Sequence, residues 1–166
     1  MNTQPRIYAA CLASYNNGIL HGAWIDADQD ADDILHDISE MLECSPMPGA
    51  EEWAVHDVDR LPDMGEFPDI DRVAMIAQGI EDHGEAFRAY VEMVGPDWVS
   101  VEAFQDRYIG EYQTQAEFAE QWLEAVGDLA SVPEHLQAFI DFDAYGRDMI
   151  LGGSITCEGR HWFYNA

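Results

Sequence analysis

The sequence contains no lysine. Seven arginines are the whole of its fixed positive charge, against 33 aspartates and glutamates, and the formal net charge is -26 over 166 residues. A chain so poor in cations has no basic patch with which to grip phosphates, so direct nucleic-acid binding is excluded. An anionic membrane surface is an equally poor partner. Cysteine is scarce: Cys11, Cys44 and Cys157 are odd in number, far apart and outside any C-x-x-C pattern. They read as small buried residues in a reducing compartment. The opening M-N-T-Q-P-R-I-Y lacks the apolar core of a secretory signal, and no run is long enough to span a bilayer, so a cytoplasmic location is expected. Chemistry-bearing motifs are missing too. His21, His36, His56, His83, His135 and His161 are scattered without metal-ligand spacing, and there is no phosphate-binding glycine loop and no G-x-S-x-G turn. The dipeptide His56-Asp57 is common by chance, and a structural role is expected of it. No catalysis, metal or cofactor is expected.

Against these absences stand a 48% apolar content and five Trp, seven Tyr and seven Phe. A disordered acidic chain would lack those aromatics, so this one folds. Its pattern predicts an α+β protein of three small segments. In residues 1–61, a strand at Arg6–Ser14 pairs with one at Ile19–Ile25 across an Asn17-Gly18 hairpin turn. A helix to about Cys44 follows, then a third strand in E-E-W-A-V-H-D-V, giving a three-stranded antiparallel sheet plus helix. The Pro/Gly break L-P-D-M-G-E-F-P-D opens a central helical segment, 62–103, with helices in Ile70–Glu81 and Glu85–Val94 ended by Gly95-Pro96. So short a segment cannot bury a core alone and should pack on its neighbours. Residues 104–166 form a C-terminal α+β segment with a short antiparallel sheet. It contains a strand-like R-Y-I-G-E-Y, a capping box at Thr114 and Glu117 starting a helix to about Asp128, a helix whose first turn holds Pro133, and a hairpin turning at Glu158-Gly159.

The most acidic stretch is W-I-D-A-D-Q-D-A-D-D-I-L-H-D-I-S-E, from Trp24 to Glu40. Read as a calcium loop from Asp26, it matches at Asp28 and Asp30. It fails where a glycine belongs, at Ala31, and where a bidentate Glu belongs, at Asp37. Read as a helix start it is coherent: Asp28 or Asp30 caps, and acids occupy the positive end of the dipole. Ile34, Leu35, Ile38, Met41 and Leu42 then make one apolar stripe. The other face carries Asp32, Asp33, Asp37, Glu40 and Glu43, with no Lys or Arg to pair with them.

Acids one helical turn apart lie about 5–6 Å from each other, close to the phosphate spacing of a nucleic-acid strand. At one charge per roughly 1.7 Å of duplex axis, the net charge matches about 44 Å of DNA. A folded body coated in this way can imitate DNA, adapt to high salt, or bind a basic protein. Composition alone does not separate these readings.

Separated motifs do. R-I-Y-A-A-C-L-A-S-Y-N-N-G-I-L-H-G-A-W-I-D-A (Arg6–Ala27) and E-E-W-A-V-H-D (Glu51–Asp57) resemble the N-terminal part of the ArdA antirestriction family. Y-I-G-E-Y (Tyr108–Tyr112) and F-I-D-F-D-A-Y-G-R-D (Phe139–Asp148) resemble its C-terminal signatures, in the same order. The resemblance implies an elongated, three-segment homodimer that mimics bent B-form DNA. Such a protein occupies the DNA-binding site of type I restriction–modification enzymes, in the methyltransferase core with its specificity subunit. Family members are often carried on mobile elements. The mimicking surface would comprise Asp26, Asp28, Asp30, Asp32, Asp33, Asp37, Glu40 and Glu43. It would continue through Asp63, Glu66, Asp69, Asp71, Glu81, Asp82, Glu85 and Glu92, and then Glu111, Glu117, Glu120 and Glu124. Phe139, Asp141, Asp143, Tyr145, Arg147 and Asp148 fall in the family's antirestriction motif and are expected near the dimer contact. Trp24, Trp53, Tyr108 and Tyr145 are expected in core or interface, and Arg147 in a local ion pair.

Overall fold

The computed structural model describes residues 4–165; Met1–Thr3, part of the opening stretch in which no secretory signal is expected, and Ala166 lie outside it. The protein is α+β and divides into two compact units, residues 1–101 and 102–166.

In the first unit, β1 (Arg6–Cys11) lies between β2 (Gly22–Asp26) and β3 (Trp53–Asp59), antiparallel to both. The predicted hairpin turn at Asn17-Gly18 is not one. A short helix, α1 (Leu12–Asn16), interrupts the connection, and Gly18, at φ 74°, terminates it. The Ile19 amide donates to the Ser14 carbonyl and the Gly18 amide to the Tyr15 carbonyl, both near 3.0 Å, which is a Schellman cap. Asn-Gly signals a positive φ, and both a hairpin and a helix exit use one.

Helix α2 (Ala31–Glu43) buries Ile34, Ile38 and Met41 as its stripe. Each such side chain contributes about 1.5–3 kcal/mol relative to exposure. Leu35, expected in the stripe, is exposed, since it sits about 100° around the helix from Ile34. Asp30 occupies the cap position, but its side chain makes no capping bond; its carbonyl accepts from Asp33 and Ile34. After β3, Arg60 takes φ 62°, and on the outer edge of β3 the Val55 amide donates to the Glu66 carbonyl at 2.8 Å.

Residues Ile70–Val94 form α3, capped by Asp69 and broken at Gly84 (φ 62°, ψ -144°). The two expected helices therefore meet at a bend. The first half buries Val73, Ile76 and Ala77, the second Phe87, Tyr90 and Val91, and α3 packs on α2. The Phe87 ring fills the space where a Gly79 side chain would stand, within 2.4 Å of an ideal Cβ. At Arg72 the guanidinium donates to the carbonyls of Pro96 (2.8 Å) and Val99 (3.4 Å), holding the exit of the second half against the start of the first.

In the second unit, α4 (Val101–Arg107) leads into β4 (Tyr108–Glu111), which pairs with β6 (His161–Tyr164), itself paired with β5 (Ile155–Glu158). The capping box forms in a shifted version: Thr114 Oγ1 accepts from the Glu117 amide at 3.1 Å, and Glu117 Oε2 accepts from the amide of Gln113, one residue before the cap, at 2.7 Å. It starts α5 (Gln115–Ala125), which ends three residues before the expected Asp128 because Gly127 takes φ 82°. Pro133 precedes α6 (Glu134–Gln137) as its cap residue, outside the first turn, and α7 (Phe142–Leu151) follows. The core is aromatic: Phe118 stacks on Trp162 at 4.2 Å, with Tyr112 edge-on to both.

Replacing Gly79 with Ala is expected to cost about 1–3 kcal/mol, because Phe87 must leave its seat in a packed core. Gly84→Ala meets no atom and is expected to cost about 1–3 kcal/mol through backbone strain alone. Urea unfolding of the two variants measures both costs; wild-type stability for Gly79→Ala would mean the seat is not shared.

Candidate functional site

The expected acidic surface is carried on α2, α3 and α5 and on the segments that precede them. On α2, Asp32, Asp33, Glu40 and Glu43 are exposed, while Asp37 is half-buried and accepts from Gln29 Nε2 at 2.8 Å. Upstream, Asp26 and Asp30 are exposed and Asp28 half-buried. Around α3, Asp63, Glu66, Asp69, Asp71, Glu81, Asp82, Glu85 and Glu92 are all exposed. In the second unit Glu111, Glu120 and Glu124 are exposed and Glu117 is half-buried. These placements follow from periodicity: with the apolar stripes turned inward, the intervening acids face solvent.

Some of these carboxylates also hold the fold. Asp69 caps α3, Asp63 Oδ1 accepts from the Gly65 amide at 2.8 Å, and Glu117 accepts from the Gln113 amide just before α5. Cations are consumed locally. Arg88 bridges Glu85 (4.0 Å) and Glu92 (3.3 Å) along its own helix, and Arg160 reaches Glu111 at 3.3 Å. Arg6 binds Asp59 at 2.7 Å and lies 5.0 Å over the Trp24 ring. Among the described residues no ion pair to arginine within 4.0 Å reaches α2 or α5, and the one pair on α2 is His36 with Glu40 at 3.5 Å. Exposed pairs of this kind contribute about 0–1 kcal/mol each, so they leave the negative field almost intact.

The stretch Phe139–Asp148 has two functions in the structure. Asp141 caps α7, accepting from the Ala144 amide at 2.9 Å. Asp143 Oδ1 accepts from Gln115 Nε2 at 2.8 Å, and Gly146 lets α7 approach α5 so closely that a Cβ there would stand 2.5 Å from the Gln115 carbonyl oxygen. Those residues dock α7 on the start of α5. Phe139, 84% exposed, faces solvent together with Tyr145, Arg147 and Asp148. The ion pair expected of Arg147 does not form among the described residues, since Asp143, one turn earlier, is engaged by Gln115.

Other expectations are redrawn. Only Cys11 is buried; Cys44 is exposed at the end of α2, and Cys157 is half-buried. Burial, with the charge of Glu158 second, pushes the Cys157 thiol up. Trp53 and Tyr108 are half-buried, while Trp24 (42%) and Tyr145 (38%) are exposed. His56 stands edge-on to Tyr15, and Asp57 Oδ1 accepts from the Val58 amide at 2.9 Å. Among the described residues no three His, Cys, Asp or Glu side chains are grouped to hold a metal, and no helix is long and apolar enough to cross a membrane.

The sequence model of the antirestriction protein (ArdA) family matches residues 7–161. The chain belongs to the ArdA antirestriction family. No curated protein matches it significantly. The match runs through both compact units, so the family signature covers the acidic helices of α2, α3 and α5 as well as the Phe139–Asp148 motif.

The charge of this ArdA chain makes stability depend on screening. Raising NaCl from about 10 mM to about 1 M shortens the Debye length from about 30 Å to about 3 Å. A melting temperature several degrees higher is expected by differential scanning fluorimetry. A flat profile would show that acid–acid repulsion does not limit stability.

Proposed function

We propose that this protein blocks restriction of incoming DNA by occupying the DNA-binding site of a type I restriction–modification enzyme as a mimic of B-form DNA. The observation that carries the reading is the set of exposed carboxylates on α2, α3 and α5, for which the few arginines provide almost no neutralisation. A DNA-binding site is built from cations spaced to meet phosphates. Carboxylates one turn apart on a helix, about 5–6 Å, meet the same cations and gain the same long-range attraction. The role needs no catalysis, no cofactor and no direct contact with nucleic acid. It is exercised in the cytoplasm, where mobile DNA arrives.

The apolar part of the Phe139–Asp148 region supports a homodimer. Phe139 and Leu151 are 84% and 77% exposed, and Tyr145 lies between them in sequence on α7. Solvated aromatic and aliphatic surface of this kind suits a contact between copies. A dimer would double the length of duplex that is mimicked. We retain residues 62–103 as a distinct functional segment of that mimic.

Attraction spread over many groups makes each one weak, at about 0.2–1 kcal/mol for an exposed charge. Two outcomes are expected when a fluorescent duplex bound to a purified type I methyltransferase is titrated with this protein. Wild type releases the duplex stoichiometrically, less well as salt rises. Joint substitution of Asp32, Asp33, Asp37 and Glu40 by Asn or Gln weakens release measurably, while any one alone changes little. Absence of release at low and moderate salt would defeat the reading. Loss of all release from one of the four, in a folded protein, would defeat the distributed-charge account. Phe139→Glu is expected to shift the protein toward monomer in sedimentation velocity, and an unchanged dimer would remove that residue from the contact.

A further inference from the structure

The two edges of the N-terminal sheet are treated differently. On the outer edge of β3 the Val55 amide is taken by the Glu66 carbonyl. Beyond β2 no strand follows among the described residues. The register says which groups point out there. The Cys11 amide bonds the His21 carbonyl and the Ala27 amide bonds the Pro5 carbonyl, both at 2.9 Å, so odd-numbered residues of β2 face β1. By antiparallel alternation the backbone groups of Gly22 and Trp24 face outward.

Beside that edge runs a groove of about 370 Å³ between β2 and α2. Ala23 and Ile25 line one side, and Asp37, Glu40 and Met41 the other. One wall thus offers backbone donors and acceptors in strand register, and the other offers carboxylates. The positive group closest to hand in the sheet, Arg6, is held by Asp59 and lies over Trp24.

We propose that the β2 edge and its acidic groove receive a short, extended, basic segment of a protein partner by strand addition. The partner's backbone pairs with Gly22 and Trp24, and its Arg or Lys side chains reach Asp37 and Glu40. Strand addition takes affinity from main-chain bonds and specificity from alternate side chains. An open edge is also a template for a second copy. At this edge a second copy would bring its own acids against Asp37 and Glu40, whereas a basic segment is attracted to them, and that local complementarity selects the occupant. The basic character of the partner rests on the DNA-mimic reading; the strand geometry does not.

The probe is an alternating Arg/Val hexapeptide, capped at both ends, and the same peptide N-methylated at every second amide on its pairing edge. Both carry the same charge, but only the first can extend a sheet. The expected result is saturable binding of the first peptide to the full-length protein, with slowed hydrogen exchange at the Gly22 and Trp24 amides. The N-methylated peptide should bind about tenfold more weakly, the loss of one or two exposed hydrogen bonds. Glu40→Gln should weaken the first peptide without altering the fold. Equal binding of both peptides would overturn the proposal and reduce the interaction to general attraction. Exchange protection at Gly22 and Trp24 that grows with protein concentration, without peptide, would overturn it too and assign the edge to a second copy. Duplex release from the methyltransferase is scored separately. Release with equal peptide binding leaves the DNA-mimic reading standing and removes the edge; edge-specific peptide binding without release does the reverse.

Discussion

Repulsion among carboxylates is the constraint under which every other feature of this protein operates. With a net charge of -26, the folded state gathers like charges that the unfolded chain keeps apart. Ion pairing cannot offset this, because seven arginines are too few and several serve other ends. Arg72 is spent on two carbonyls at the exit of α3, and Arg6 on joining β1 to β3 through Asp59. Apolar burial has to supply the cohesion instead. It does so through aliphatic and aromatic packing between α2, α3 and the first sheet, and through the stacked Phe118–Trp162 core of the second unit. The aromatic-rich composition and the acid-rich surface are thus two sides of one requirement.

The same requirement explains how acids are distributed within elements. A carboxylate is tolerated at a helix start, where the dipole and free amides offset its charge, and Asp69, Asp141 and Glu117 are used in this way. Elsewhere the acids lie on solvated faces where water screens them. An exposed carboxylate that makes no cap or hydrogen bond adds only to the repulsion that the folded protein has to withstand. The stretch Phe139–Asp148 is divided in a comparable way: Asp141 caps α7, Asp143 and Gly146 hold α7 against α5, and Phe139, Tyr145, Arg147 and Asp148 are exposed.

Much of this was legible from residues alone. Alternation placed β3, the 3.6-residue period placed α2 and both halves of α3, and Thr114 with Glu117 marked the start of α5 within a residue. Exposure of the acids followed from the same periods. The errors share a cause, which is that a local signal has more than one tertiary use. Asn17-Gly18 requires a positive φ, and the chain spends it on leaving a helix because Leu12–Asn16 had already coiled. Leu35 belongs to an apolar run but lies off the packed stripe. Arg147 sits among acids in sequence, yet it makes no ion pair among the described residues, and Asp143, one turn earlier, accepts from Gln115 of another helix.

By itself, then, the sequence determined the charge, the helical and strand periods, the family and the inward or outward direction of most side chains. These depend on composition and on neighbours within a turn or two along the chain. Tertiary structure alone decided that the Val55 amide at the outer edge of β3 meets Glu66, that Gly79 yields its space to Phe87, and that Gly146 brings α7 against α5. Each of those is a contact between residues distant in sequence or across a bend. No local pattern encodes such a contact, because its energy exists only once both partners have been brought together by the packing of everything between them.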